Sequence, residues 1–216
     1  TKYFFPWHHL GKPGYTAGDA EWAFKELRKK EGFGEDKKKR DDSWFDELEK
    51  YADLGSFPNR LLRAITVRPT YLRMLPTHKP FFYTFYLDGE GYPFDNIQHS
   101  FLPPNTPIYV DHLSEDGEWA LVESHHGLGW MLVTDLAYVT EAFVSTWESG
   151  RYAAATAICL SIHPLLQKKP IYDFTHHNPT ILLKYQGTKA LRITDFFHTQ
   201  RCGPSGDNWL PARPRL

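Results

Sequence analysis

The residues of this sequence that could act as catalytic nucleophiles are its two cysteines, Cys159 and Cys202. Such a cysteine needs a thiolate whose pKa is lowered by a helix N-terminus and by an imidazole in contact with it. Cys159 lies in the apolar run Ala153–Ile162, which indicates a strand. His163 follows four residues later, and a spacing of four along a strand does not bring a cysteine and a histidine into contact. No histidine follows Cys202. We therefore expect no catalytic cysteine. Cys159 is expected to be a buried small hydrophobe, with a disulfide to Cys202 as the alternative.

Adjacent histidines are the residues that could bind a metal, and they occur as His8-His9, His125-His126 and His176-His177. Neighbouring side chains on a strand point to opposite faces, so such a pair does not place two ligands on one ion. The sequence has no HExxH or CxxC spacing for a metal, and no GxGxxG or P-loop string for a nucleotide. We therefore expect neither a metal nor another cofactor.

A barrel-like pattern between residues 72 and 139 is the element around which the rest of the chain is organised. Residues 119–124 alternate with the period of two that is typical of a half-buried strand, and 128–132 form a second strand after a turn. One helical turn at 133–136 and a short strand at 137–139 follow. This order is typical of the closing half of an SH3-like barrel.

A long connection from Pro76 to Pro107 follows the first predicted strands of this barrel, Arg63–Val67 and Tyr71–Met74. Loops of this length usually bind something or carry packing of their own. The connection contains a dense set of aromatic residues: Phe81, Phe82, Tyr83, Phe85, Tyr86, Tyr92 and Phe94. These rings form a binding face, or they pack on the preceding helices as a second core. The sequence favours neither alternative.

The N-terminal part of the chain predicts an arm and a pair of helices. Residues 1–17 are interrupted by glycine and proline, which indicates an extended arm that must lie on another surface. Asp19 is the predicted cap of a helix that ends at Lys30, and Ser43 is the predicted cap of a second helix. Residues 29–42 mix lysines with five acidic residues, so we expect a solvated loop and not a nucleic-acid patch.

The C-terminal third predicts a connecting helix at 141–149 and then short strands separated by turns, which indicate a second, smaller SH3-like barrel. The predicted fold is mainly β with an N-terminal helical pair, and its two small SH3-like barrels are joined by a short helix. The predicted domains are the arm and helical region at 1–60, the first barrel at 61–140, the helix and second barrel at 141–200, and an irregular tail at 201–216.

Composition limits the classes of partner. The net charge of −1 and the pI near 6.8 give no global field that would attract nucleic acid or an anionic membrane. No stretch of about 18 apolar residues occurs, so we expect no membrane span. The sequence starts at Thr1 without an initiator Met or a signal peptide, as a processed secreted chain or a shortened one would.

Several segments together resemble the N-terminal stabilising region and the bacterial SH3 (SH3b) module of NlpC/P60 cell-wall peptidases. The resemblance covers roughly residues 5 to 150 and reaches back to Trp7-His8 and to the lysine-rich residues 29–35. The matching barrel segments are Ala64-Ile65-Thr66-Val67, Leu72-Arg73-Met74-Leu75-Pro76-Thr77, Gly91-Tyr92-Pro93-Phe94-Asp95, Gln98-His99-Ser100, Asn105-Thr106-Pro107, Ser114-Glu115-Asp116-Gly117 and Gly129-Trp130. The resemblance implies a protein of the periplasm or cell envelope that meets peptidoglycan. The catalytic Cys of that family follows an Asp and precedes a Ser, and neither cysteine here does so.

The resemblance suggests which side chains would meet the stem peptide of peptidoglycan. The candidate ligand-binding residues are Arg73, Tyr92, Asp95, Gln98 and Trp130. Arg73 could pair with a peptide carboxylate and Asp95 with a peptide amine. The alternative for these two is an ion pair that fixes the long loop, and the alternative for Trp130 is a place in the core.

Three functional hypotheses follow. The chain could be a non-catalytic protein that binds the cell wall. It could be a structural subunit of an envelope-spanning assembly such as a secretion system, with the arm and the tail bound to neighbouring proteins. The alternative to both is the N-terminal, substrate-positioning part of an NlpC/P60 cysteine endopeptidase whose catalytic domain is absent from this chain. The predicted partners are therefore peptidoglycan or its stem peptide, and other envelope proteins.

Overall fold

The computed structural model describes residues 2–9, 11–87, 91–149, 151–154, 160–162, 172–174, 182–185 and 197–198. The contacts within the chain divide it into two units, residues 1–148 and 149–216. Among the described residues, the first unit contains three 3-10 helices, three α-helices and seven strands. Five short strands are described in the second unit.

One antiparallel sheet forms the body of the first unit. Its strands are β1 (Leu62–Thr66), β2 (Thr70–Arg73), β3 (Gln98–Leu102), β4 (Pro107–Leu113), β5 (Trp119–Ser124), β6 (Gly127–Leu132) and β7 (Leu136–Tyr138). Their order in the sheet is β3-β2-β6-β5-β4-β1-β7. A 3-10 turn at Val133–Asp135 separates β6 from β7, as the sequence predicts. The prediction of a mainly β chain with an N-terminal helical pair is confirmed.

Two helices pack beside the sheet, and their caps differ from the prediction. α1 (Ala17–Arg28) is capped by Thr16, and Asp19 completes the capping box from inside the first turn. α2 (Asp42–Ala52) is capped by Asp41, whose carboxylate accepts a hydrogen bond from the Trp44 amide at 3.1 Å. In both helices a side chain slightly upstream reaches the free amides first, so the predicted caps Asp19 and Ser43 lie within the first turn.

Two further expectations about the first unit are wrong. The N-terminal arm is not extended, because Lys2–His8 forms a 3-10 helix. The long connection is not entirely a loop, because it contains β3, which pairs with β2. In both segments the backbone amides and carbonyls form regular hydrogen bonds, although Gly and Pro residues occur in or near them.

Strand β5 is buried along its whole length, although its alternating pattern predicts a half-buried strand. Ala120 and Val122 belong to the core inside the barrel, which the strands form with one another. Trp119 and Leu121 belong to a second core, which the sheet shares with the helical pair. Glu123 lies under the N-terminal arm, since it accepts a hydrogen bond from the Gly14 amide. The outer face of β5 is therefore covered by segments that are distant in sequence.

A third core joins the arm to α3 (Glu141–Glu148). It is formed by Trp7, Ile65 and Val144, all buried. The indole Nε1 of Trp7 donates a hydrogen bond to the Ala64 carbonyl oxygen at 2.7 Å. The arm is thus attached to β1 of its own unit. The expectation that the arm also binds neighbouring proteins stays a prediction.

In the second unit, the described strands are β8 (Arg151–Ala154), β9 (Leu160–Ile162), β10 (Tyr172–Phe174), β11 (Leu182–Tyr185) and β12 (Phe197–His198). They form a three-stranded sheet in the order β10-β9-β12 and a pair of β11 with β8, all antiparallel. Antiparallel pairing agrees with a second barrel, which stays a prediction. Both cysteines, Cys159 and Cys202, lie outside the described residues, as does the predicted tail.

Candidate ligand-binding surfaces

Three of the predicted ligand-binding residues meet in one network at the base of the long loop. The Nη2 of Arg73, on β2, lies 2.8 Å from Oδ2 of Asp95. Oδ1 of Asp95 accepts hydrogen bonds from the backbone amides of Phe81 at 3.0 Å and Ile97 at 3.1 Å. The amide oxygen of Gln98 accepts a third, longer bond from Arg73 at 3.4 Å. Because the ion pair of Arg73 and Asp95 is largely buried, the network fixes the loop onto the barrel, although Nε of Arg73 has no partner among the described residues.

The aromatic residues of the loop divide into two groups, so each of the two predicted roles applies to some of them. Phe81 and Phe82 are buried, and the Phe81 ring lies 6.0 Å from that of Phe45 on α2. The side chains of Tyr83, Tyr86, Leu87, Tyr92 and Phe94 are exposed, and we call these five residues the loop face. Tyr86 is 88% exposed and Tyr92 is 58% exposed.

The loop face is held on a fixed backbone. Phe82 exchanges backbone hydrogen bonds of 2.8 and 2.9 Å with Phe33. The Tyr92 amide donates to the Thr84 carbonyl at 2.8 Å, next to Gly91, where a Cβ would collide with that carbonyl. The Tyr92 ring stacks on Phe85 with a centroid separation of 5.7 Å and an interplanar angle of 21°. Tyr92 is therefore an exposed ring in a defined orientation.

The fifth predicted residue, Trp130 on β6, is only 1% exposed and lies apart from the loop network in the core shared with the helices. It also lines a cavity of about 390 Å³ between α1 and the sheet. We call this cavity the helix groove and define it by Tyr15, Asp19, Trp22, His99, Leu128 and Trp130. The sequence did not predict this groove, because one wall comes from residues 15–23 and the other from residues between 74 and 130.

The groove contains two titratable groups with shifted pKa values. Hydrogen bonds from the Thr16 backbone and hydroxyl lower the pKa of Asp19, so this carboxylate is ionised at neutral pH. Desolvation, followed by the nearby His126, lowers the pKa of His99, so its imidazole is neutral at pH 7. His125 and His126 lie in the turn between β5 and β6 with ring centroids 4.0 Å apart, and not on opposite faces of a strand. Turn residues do not follow the alternation on which the prediction was based.

A pair of buried carboxylates under the N-terminal arm was also missed by sequence reasoning. Asp111 is fully buried at a bulge in β4, and neither carboxyl oxygen receives a hydrogen bond from a described residue. Burial, and then the charge of Glu123, raises the pKa of Asp111 to about 9. Nε2 of His9 lies 3.1 Å from Oε2 of Glu123. The only signal in the sequence is one acidic residue inside the apolar strand Pro107–Leu113.

Within the described residues, no three or more His, Cys, Asp or Glu side chains gather in a way that could hold a metal ion. No helix in that part of the chain is long and apolar enough to span a membrane. The expectation that no catalytic cysteine exists stays a prediction, since Cys159 and Cys202 are not described.

Two family models match separate parts of the first unit. Residues 1–57 match the N-terminal NLPC_P60 stabilising domain. Residues 80–132 match the SH3 domain of the SH3b1 type. Two parts of the chain are thus similar to the stabilising domain and the SH3b domain of NlpC/P60 proteins. The resemblance found in the sequence is thereby confirmed, and the helix groove lies between the stabilising domain and the SH3b domain.

Among solved structures, an NlpC/P60 endopeptidase from Photobacterium damselae subsp. piscicida is similar to this chain, with 24% sequence identity and a TM-score of 0.69. The match covers 91% of this chain and 50% of that one, so the chain spans half the length of that endopeptidase. At this identity the likeness concerns the fold. No curated protein matches the sequence.

Proposed function

We propose that the chain binds peptidoglycan in the periplasm or cell envelope and presents it to a cysteine endopeptidase of the NlpC/P60 type. The observation that carries this proposal is the loop face, four exposed aromatic residues and Leu87, fixed on the SH3b domain by a buried ion pair. The two matched domains and the similar endopeptidase support the cell wall as the ligand.

In this proposal the predicted site residues have different roles. Tyr92 and the rest of the loop face contact the stem peptide, since exposed aromatic rings offer large contact area at little cost in conformational entropy. Arg73, Asp95 and Gln98 position the loop and do not contact the ligand, because they bond to one another. A loop ordered before binding loses less entropy when the ligand arrives, which strengthens binding.

Sedimentation of the full 216-residue chain with purified sacculi tests the proposal. We expect saturable binding, and we expect the double variant Tyr86→Ala/Tyr92→Ala to bind about tenfold more weakly, since each aromatic contact contributes about 0.5–1.5 kcal/mol. The control is Tyr71→Ala, which removes a similarly exposed tyrosine from β2, outside the loop face. Its binding should equal that of the unmodified chain.

Absence of sedimentation with sacculi would overturn the proposal. A role as a structural subunit of an envelope-spanning assembly would then be favoured, and light scattering after size exclusion would find the chain in a larger complex. Equal weakening by the Tyr71 variant would show that the wall does not contact the loop face in particular.

A further inference from the structure

A lysine-rich turn from the N-terminal part of the chain lies against the long loop. We call residues 33–39 the lysine turn, and they belong to the part that matches the stabilising domain. Phe33 pairs through its backbone with Lys39 on the other side of the turn and with Phe82 in the long loop. The lysine turn is therefore joined by hydrogen bonds to the segment that carries the loop face.

The ammonium group of Lys37 is held on an aromatic ring beside the loop face. Its Nζ lies 5.5 Å from the centroid of the Phe85 ring. The Tyr92 ring stacks on the same ring with 5.7 Å between centroids. The Lys37 ammonium and the Tyr92 ring are therefore separated by no more than the sum of these two distances. The attraction between an ammonium group and an aromatic ring favours this position of the Lys37 side chain.

Lys37 differs from the two lysines that follow it in its ion pairing. Nζ of Lys38 lies 3.7 Å from a carboxylate oxygen of Asp36, and Nζ of Lys39 lies 3.2 Å from one of Glu31. No ion pair joins Lys37 to an acidic side chain among the described residues, and its side chain is exposed. The charge of Lys37 can therefore meet an anion that arrives from solution.

The loop face needs such a cation if its ligand is a stem peptide, which carries free carboxylates. The cation that the sequence predicts for a peptide carboxylate is Arg73, but its guanidinium is bonded to Asp95. The rings of the loop face are uncharged at neutral pH and offer a carboxylate no counterion. Lys37 supplies a positive charge beside these rings.

We propose that Lys37 binds a free carboxylate of the stem peptide while Tyr92 and the other rings of the loop face contact the rest of the peptide. An extended peptide of four residues spans about 13 Å, which is enough to reach from the Tyr92 ring to the Lys37 ammonium. This inference rests on the proposed function and deepens it. It makes the site selective for a stem peptide with free carboxylates over one whose carboxyl groups are amidated.

The test compares two synthetic stem tripeptides on the full 216-residue chain, one with free carboxylates and one with every carboxylate amidated. Isothermal titration calorimetry measures both dissociation constants. We expect the peptide with free carboxylates to bind about fivefold more tightly, as an exposed ion pair allows. The ratio should approach one when the salt concentration rises from about 0.05 M to about 0.5 M, since salt screens exposed charges.

Three variants assign the preference to Lys37. Lys37→Gln changes an exposed residue, so its fold should be unaffected, and it should bind the free peptide about fivefold more weakly and the amidated peptide unchanged. Lys37→Arg retains the positive charge and should keep the preference. Lys38→Gln is the matched control, because it makes the same change at a neighbouring lysine that pairs with Asp36. It should bind both peptides as the unmodified chain does.

Equal weakening by Lys37→Gln and Lys38→Gln would overturn the assignment to Lys37. If both peptides bound equally well and both lost binding in Tyr86→Ala/Tyr92→Ala, this inference alone would fail. It would also fail alone if the chain sedimented with sacculi but bound neither peptide. If neither peptide bound and sedimentation with sacculi failed as well, the proposed function would fail with it.

Discussion

The long loop and the N-terminal arm are both irregular segments that lie on the same barrel, and each lies over a pair of buried ionisable residues. The pair under the loop has opposite charges, Arg73 and Asp95, with 2.8 Å between nitrogen and oxygen. The pair under the arm consists of two carboxyl groups, Asp111 and Glu123. The comparison teaches that one barrel can hold two segments over buried ionisable pairs of opposite kinds, an ion pair and a pair of carboxyl groups.

The difference lies in how the charges are satisfied. Both carboxylate oxygens of Asp95 receive hydrogen bonds, one from the Arg73 guanidinium and the other from two backbone amides. Asp111 receives none from the described residues and lies next to Glu123. Two buried carboxyl groups are tolerated side by side when one retains its proton and can donate to the other.

The largest expected effect comes from breaking the loop pair. Asp95→Ala leaves the Arg73 guanidinium buried without its counterion, so we expect the free energy of unfolding to fall by about 3–5 kcal/mol. Urea denaturation followed by tryptophan fluorescence measures this change. The control is Asp36→Ala, since Asp36 is exposed and bonds only to the side chain and backbone amide of Lys38 among the described residues, which should contribute about 1 kcal/mol or less.

The same substitution should weaken binding to sacculi, because the loop face loses its support. A loss of stability no larger than that of the Asp36 variant would contradict the role of the pair. The double variant Arg73→Met/Asp95→Leu should restore part of the stability, since replacing both charges by apolar groups removes the uncompensated ion.

A substitution of Asp111, under the arm, should raise the free energy of unfolding, whereas Asp95→Ala lowers it. The pKa of Asp111 is about 9 in the folded chain against an ordinary value of 3.8, so the folded state holds one more proton between these values. The free energy of unfolding therefore falls as the pH rises from about 4 to about 9, by at most about 1.4 kcal/mol per pH unit. Asp111→Asn removes the titrating group and supplies an amide donor to Glu123.

We expect Asp111→Asn to raise the free energy of unfolding at pH 8 by roughly 1–3 kcal/mol and to flatten its dependence on pH. Thermal or urea unfolding at several pH values measures both quantities. Asp36→Asn is the matched control, since it makes the same chemical change at an exposed site. A variant that is less stable at pH 8, with an unchanged slope, would contradict the proton-dependent arrangement.

The smallest expected effect comes from a substitution in the arm, which tests whether the arm is held independently of the loop. Trp7→Phe keeps a buried ring but removes the hydrogen bond to the Ala64 carbonyl, which should cost about 1 kcal/mol. Hydrogen exchange should become faster at the Gly14 amide, which bonds to Glu123, and should not change at the Phe81 amide. Lys12→Ala, at an exposed position of the arm, should change neither rate.

Local signals in the sequence predicted much of the fold. The strands at 119–124 and 128–132, the single turn after them and the helix at 141–149 were found from periodicity and from turn residues. The helix caps were misassigned by two or three residues. Several polar residues compete at each helix start, and only the backbone geometry decides which one bonds to the free amides.

Features made by distant segments could not be predicted in this way. The period of β5 was read correctly, but its burial depends on an arm about a hundred residues upstream. Arg73 and Asp95 were proposed both as ligand contacts and as a pair that fixes the loop, and the sequence could not choose between these roles. The helix groove was missed because no single stretch contains both of its walls.

The burial of Trp7 also has a practical consequence for cloning. A protein expressed from Pro13 onward lacks Trp7, so the apolar surface of Ile65 that Trp7 covers becomes exposed. An environment-sensitive dye could bind to this surface. Such a truncated product should aggregate at concentrations at which the longer product stays monodisperse. The choice of cloning boundary at this end therefore determines the yield of usable material.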